Sequence, residues 1–134
     1  RRMHEILPPK PWKPAKGYSN GVAAEGRLVF TGGIIGWNAA QVFETDDFVG
    51  QVEQALKSIV EILAEAGAGP EHLVRLTWYV TDKREYLDRL KDLGSIYKAV
   101  IGRNYPAMAL VQVVALVEDR AKVEIEATAV IPKA

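Results

Sequence analysis

The chain has no cysteine, which excludes disulfides, thiolate metal sites and a cysteine nucleophile together. It has no net charge either: seventeen Lys and Arg offset seventeen Asp and Glu. A neutral chain offers no broad electrostatic footprint for a phosphate backbone, so nucleic acid is not an expected partner. No apolar run approaches the roughly 20 residues that span a bilayer, and no membrane partner is expected. There are only two histidines, His4 and His72, without His-x-x-x-His or carboxylate spacing. No metal site and no cofactor are expected. The glycines at 32, 33 and 36 lack the Gly-Lys-Ser/Thr ending of a phosphate loop, and no long helix begins directly after them. Ser19 has no neighbouring base to activate it as a nucleophile. The opening Arg1-Arg2-Met3-His4-Glu5-Ile6-Leu7-Pro8-Pro9 has no signal-peptide apolar region, which makes the cytoplasm the expected compartment, with Met3 a candidate natural start.

What is present suits one domain over residues 1–134: a hydrophobic fraction of 49% builds a real core at this length. Residues 8–17 hold four of the seven prolines. Proline fixes its own φ and restricts the residue before it, so residues 1–16 read as an extended arm. Strands are expected near 21–24 and 27–32, joined by a hairpin turn at Glu25-Gly26, with a short third strand at 33–36.

Thr45-Asp46-Asp47 supplies cap candidates and negative charge for a first helix. Phe48, Val52, Leu56, Ile59 and Leu63 recur at helical spacing, and Gly67 and Pro70 end it. Leu73 to Val80 alternates: Val74, Leu76, Trp78 and Val80 on one face, with Trp78 in the core, and Arg75, Thr77 and Tyr79 on the other. Asp82-Lys83-Arg84-Glu85 resembles a capping box and opens a second helix, striped by Tyr86, Leu90, Leu93, Tyr97 and Val100 or Ile101 and ended by Gly102. Ala109 to Leu116 is nearly all apolar, the pattern of a strand covered on both faces. Lys122 to Ile131 alternates, with Lys122, Glu124, Glu126 and Thr128 opposite Val123, Ile125, Ala127 and Ala129.

Two helices of about 18 residues cover only one face of a five- or six-stranded sheet. The other face must be polar or meet another subunit, and the apolar 109–116 strand points to association through it.

Four ordered stretches carry a family resemblance. Gly17-Tyr18-Ser19-Asn20-Gly21 resembles the N-terminal "PYS" motif of the RidA (YjgF, L-PSP) family, and Phe30-Thr31-Gly32-Gly33-Ile34-Ile35-Gly36 its glycine-bearing strand. Gln54-Ala55-Leu56 with Ile59 and Leu63 is similar to its first helix, and Val123 to Ala129 to its C-terminal "EIEA" strand. The resemblance implies an α+β, chorismate-mutase-like fold, a mixed sheet with two helices on one face, and a homotrimer with clefts between subunits. It also implies hydrolysis of reactive enamines and imines, with release of ammonia. Residue by residue, Tyr18 falls on the family's site tyrosine and Glu124 on the glutamate that orients water. The substrate-clamping arginine is replaced by Met108, and the small residue two further on by Leu110. Gly94 stands where many relatives carry asparagine. A thioether cannot imitate bidentate guanidinium–carboxylate pairing, and losing such a partner costs on the order of 2–5 kcal/mol of binding. The short imino acids of the best-known members are therefore not the expected substrates; aminomuconate-like enamines are the class to test first. Either another cation replaces the clamp, with Arg103 and Arg75 as the candidates, or the ligand is larger and less dependent on its carboxylate.

Each candidate also has a plainer role. Glu124 suits a solvated or salt-bridged strand face as well as general-base work on water. Tyr18 suits a packing anchor. Trp37, at a strand end where loops build sites, suits a cleft wall or a core aromatic. Met108 is a ligand contact or core filler, and Arg103 a ligand cation or a partner for helix-end carbonyls. Gly33 is counted with the ligand-binding positions, its plainer role being a tight turn or close subunit approach. Gln112, in an apolar strand, needs a partner, most simply across a subunit interface. The leading reading is thus an enamine/imine deaminase with a small-molecule substrate. A non-catalytic binding or regulatory trimer is the alternative, and an endoribonuclease the weakest.

Overall fold

The structure, a computed structural model, describes residues 4–134, so the candidate start at Met3 lies outside the described residues. The arm carries a first strand, β1 (Glu5–Ile6), that pairs antiparallel with β2 (Val22–Ala23). The strand after it, β3 (Arg27–Phe30), does not pair with β2 at all; it pairs with the last strand of the chain. The expected Glu25-Gly26 hairpin is therefore absent. Gly26 instead makes a close crossing: its φ is 148° and a Cβ there would lie 2.0 Å from the Ile131 carbonyl oxygen. Only glycine accommodates both demands. The expected short third strand is β4 (Ile34–Ile35).

Helix α1 (Phe48–Glu65) begins where the sequence places it, with Asp47 as N-cap accepting from the Gly50 N–H at 3.0 Å. That bond satisfies one of the unpaired donors of the first turn. The helical stripe of Val52, Leu56, Ile59 and Leu63 is wholly buried, each side chain contributing roughly 1.5–3 kcal/mol by leaving water. A 3-10 turn (Pro70–His72) leads into β5 (Leu73–Val80), which spans the expected residues and buries Leu76, Trp78 and Val80.

The second helical segment differs from expectation. It is two helices, α2 (Lys83–Asp88) and α3 (Leu90–Val100), broken at Arg89, whose φ of −124° and ψ of 26° are not helical. Helical spacing cannot detect a one-residue break when both halves carry the stripe. Arg89 is held at the break by its own guanidinium, which donates to Asp92 at 2.8 Å and to the cap residue Asp47 at 3.0 Å.

Two strands complete the chain, β6 (Ala107–Gln112) and β7 (Val123–Ile131). The five-stranded sheet runs β3-β7-β5-β6 with β4 also on β7; β6 is parallel to β5 and the other pairings are antiparallel. The expected strand over Ala109–Leu116 is displaced. Its partner β5 ends at Val80, level with Gln112, so the ladder stops there, and Val114 and Val117 project from a loop at 104% and 93% exposure. In one copy of the chain neither face of this segment is fully covered. Gln112 finds its partner within the chain rather than across an interface: its Oε1 accepts from the Lys83 N–H at 2.8 Å, at the start of α2.

The core lies between the helices and the buried rows Leu76, Trp78, Val80 and Val123, Ile125, Ala127. The opposite sheet face carries Arg75, Thr77 and Tyr79 of β5 and Glu124, Glu126 and Thr128 of β7, which no helix covers.

Candidate functional site

Ser19, next to Tyr18, is tied to the start of β6. The Ser19 N–H donates to the Pro106 carbonyl at 3.0 Å, its hydroxyl donates to the Tyr105 carbonyl, and Ser19 bridges Ala107. This holds Tyr18 over a chamber of about 390 Å³ between α2, α3 and β6. The break at Arg89 frames its other side, because α2 brings Tyr86 and α3 brings Leu93 and Tyr97 to the same opening. Met108 and Leu110 project into it from β6, with Trp78 beside them on β5. Tyr97 and Tyr105 stack at 5.5 Å between ring centroids and 12° between planes, while Trp78 and Tyr86 meet edge to face at 6.4 Å. Burial raises the Tyr86 phenol above its ordinary range and raises Tyr97 further, keeping both as neutral donors. Tyr97 donates to the Asn104 carbonyl at the edge of the chamber.

The polar content of the chamber is sparse. Lys16, exposed at the mouth, is the one charged residue among those lining it, and no guanidinium lines it beside Met108. The indole nitrogen of Trp78 is buried with no hydrogen-bond partner among the described residues. An unpaired buried donor costs about 1–3 kcal/mol of stability.

Glu124 lies elsewhere in the single chain. It sits on the uncovered sheet face, half-buried, opposite Tyr79 and Ile35 in register. A Cβ on Gly33 would lie 2.0 Å from Glu124 Oε2, so the glycine is the cradle of the carboxylate. The neighbouring Glu126 accepts from the Tyr79 hydroxyl at 3.0 Å, and this bond, ahead of burial, raises the Tyr79 phenol. Glu124 has no hydrogen-bond or ion-pair partner among the described residues. The two glutamates look alike in sequence and differ in this.

The structure thus brings Tyr18 to Met108 and Gly33 to Glu124, at two separate places in one copy of the chain. Trp37 does not line the chamber; it packs against Phe43 at 5.8 Å, and Arg120 covers Phe43 at 5.3 Å. Arg103 is exposed in another concavity with His4, Glu71 and Asn104, so it does not line this chamber. Arg75 projects from the uncovered face. Sequence reasoning missed the aromatic walls, because Tyr86, Tyr97 and Trp78 satisfied core patterns and gave no sign that they frame a hole. It also missed Gln51, wholly buried, whose amide donates to the Thr45 and Arg120 carbonyls and accepts from the Lys122 N–H at 2.8 Å.

The family model described as Endoribonuclease L-PSP matches residues 9–131. A RutC family protein of Aquifex aeolicus is 38% identical over 96 residues, 72% of this chain and 73% of that protein. The human 2-iminobutanoate/2-iminopropanoate deaminase is 31% identical over 114 residues, 84% of this chain and 79% of that one. A solved Rid-family protein of unknown function from Yersinia pestis aligns at a TM-score of 0.85 with 29% identity, over 96% of this chain and 98% of its own. The α+β architecture expected from the sequence is the one these relatives share. With a family model spanning nearly the whole chain and relatives of this similarity, the protein belongs to the endoribonuclease L-PSP, or RidA/YjgF, family.

Proposed function

We propose that the protein is an enamine/imine deaminase, hydrolysing a reactive small-molecule imine in a cleft completed between the copies of a homotrimer. The observation that carries this reading is the free carboxylate of Glu124, seated over Gly33 and left without a partner while Glu126 beside it is engaged. A carboxylate so placed serves as a base for water. Water adds to the C=N carbon as its proton passes to Glu124, forming a carbinolamine. That proton reaches the nitrogen as addition completes; the carbinolamine hydroxyl then passes its own proton, by way of Glu124, to the nitrogen, the C–N bond breaks, and ammonia leaves as the carbonyl forms. An enamine first takes a proton on carbon to enter the same path. The similarity to the human deaminase supports the reaction class.

Tyr18 and Glu124 lie at separate places in one copy, which supports assembly as a requirement. The uncovered face has apolar margins to drive it: Leu28 and Phe30 on β3 at 57% and 66% exposure, and Val111 on β6 at 45%. Joining unlike edges head to tail closes a ring. In the assembled site Tyr18 orients the substrate and Met108 and Gly33 line its path.

Ammonia release above the spontaneous rate, measured across imines of differing size, tests the reading. A second reading, a ligand-binding trimer without catalysis, is favoured by Met108 in place of the cationic clamp. It predicts ligand-dependent thermal stabilisation with no turnover.

A further inference from the structure

We infer that the chamber takes a ligand with a ring-bearing apolar body, in preference to a short-chain imino or keto acid. This rests on reading the chamber as the substrate side of the proposed hydrolase site. Its volume of about 390 Å³ falls in the range of sites that enclose drug-sized ligands, and a four-carbon acid leaves most of it empty. The walls are aromatic: the stacked Tyr97 and Tyr105 on one side, Trp78 edge-on to Tyr86 on the other. Rings pair with such walls by offset or edge contact. Gly94 enlarges the space, since a Cβ there would meet nothing within 4 Å.

Polarity fixes the orientation. Charge is absent inside and present only at Lys16, exposed at the mouth, so an anionic group on the ligand faces outward. The lack of any carboxylate among the lining residues argues against a cationic ligand, which aromatic walls alone would admit.

Phenylpyruvate and 2-oxobutanoate are the probes, titrated into protein labelled with nitrogen-15. The chain has three tryptophans, and Trp78→Phe identifies the Trp78 indole resonance. The expected result is tighter binding of phenylpyruvate by about tenfold or more, equivalent to about 1.4 kcal/mol, with the Trp78 indole proton moving and that of exposed Trp12 still. Met108→Arg, which restores a cation without touching Trp78, narrows or reverses the preference. Equal affinities, no binding of phenylpyruvate at millimolar concentration, or a shift confined to Trp12 or Trp37 overturns the inference. Ammonia release from the imines of both acids, generated in place by an amino-acid oxidase, separates the two claims. Turnover without preference removes the ligand class and leaves the hydrolase. Preference with a Trp78 shift but no turnover does the reverse.

Discussion

The carboxylate of Glu124 fills the space that a side chain on residue 33 would occupy, with Oε2 only 2.0 Å from where a Cβ on Gly33 would stand. Gly33 is thus not merely a turn residue. Its missing side chain fixes where a half-buried carboxylate rests, in a chain where the next glutamate along is tied to a tyrosine.

Gly33→Ala displaces that carboxylate, a flexible group, without disturbing buried backbone. Ammonia-release kcat/KM is expected to fall by about tenfold or more while the melting temperature stays close to that of the parent, as loss of a positioned base demands. A large loss of stability with unchanged kinetics assigns the glycine to folding alone.

Gln51→Ala removes three bonds that join the start of α1 to the segment before β7, stranding the Thr45 and Arg120 carbonyls and the Lys122 N–H. Burying these unpaired costs about 2–4 kcal/mol. Urea denaturation measures it, and a change under 1 kcal/mol (roughly one ordinary hydrogen bond) contradicts it.

Asp47 gives a pH-dependent cap. Its carboxyl is held below the usual 3.8, first by the Gly50 N–H, which outweighs an opposing effect of burial, and further by Arg89. A depressed folded value means stability that is present above the unfolded pKa and lost as pH falls through the folded one. Asp47→Ala is therefore expected to cost about 1 kcal/mol at neutral pH, the gap to the parent closing as pH drops below about 3.9. Denaturation curves at several pH values test this; a gap that persists unchanged in acid refutes the ionised cap.

The proposed trimer predicts a light-scattering mass near three times the 14.8 kDa chain. Phe30→Lys and Val111→Lys, at exposed positions on opposite margins of the uncovered face, each shift the mass toward the single chain with circular dichroism unchanged. A parent that is already a monomer at micromolar concentration removes the assembled cleft.

The elements with strong local signals were legible in the sequence. Asp47 caps α1 and the alternation of Leu73–Val80 marks β5 because capping and pleat act over a few residues. Pairing is not local: β2 takes β1 as partner and β3 takes β7, and the Glu25-Gly26 step carries a hairpin's residues without forming one. The 109–116 stretch was apolar enough for a buried strand, but strand length is set by the partner, and β5 offers none beyond Val80. For the site, sequence position singled out Tyr18, Glu124 and Met108. It gave no means of telling Glu124 from Glu126, which differ only through Gly33 and Tyr79, both remote in the chain. Nor did it separate Trp78 in a full core from Trp78 beside an opening.

The most direct measurement is steady-state ammonia release by the parent and by Glu124→Gln, a substitution that keeps shape and removes the base. The account predicts release well above the spontaneous rate for the parent and a loss of about a hundredfold or more in kcat for the variant, with the assembly intact. Equal rates for the two proteins on an imine that the parent turns over would contradict it.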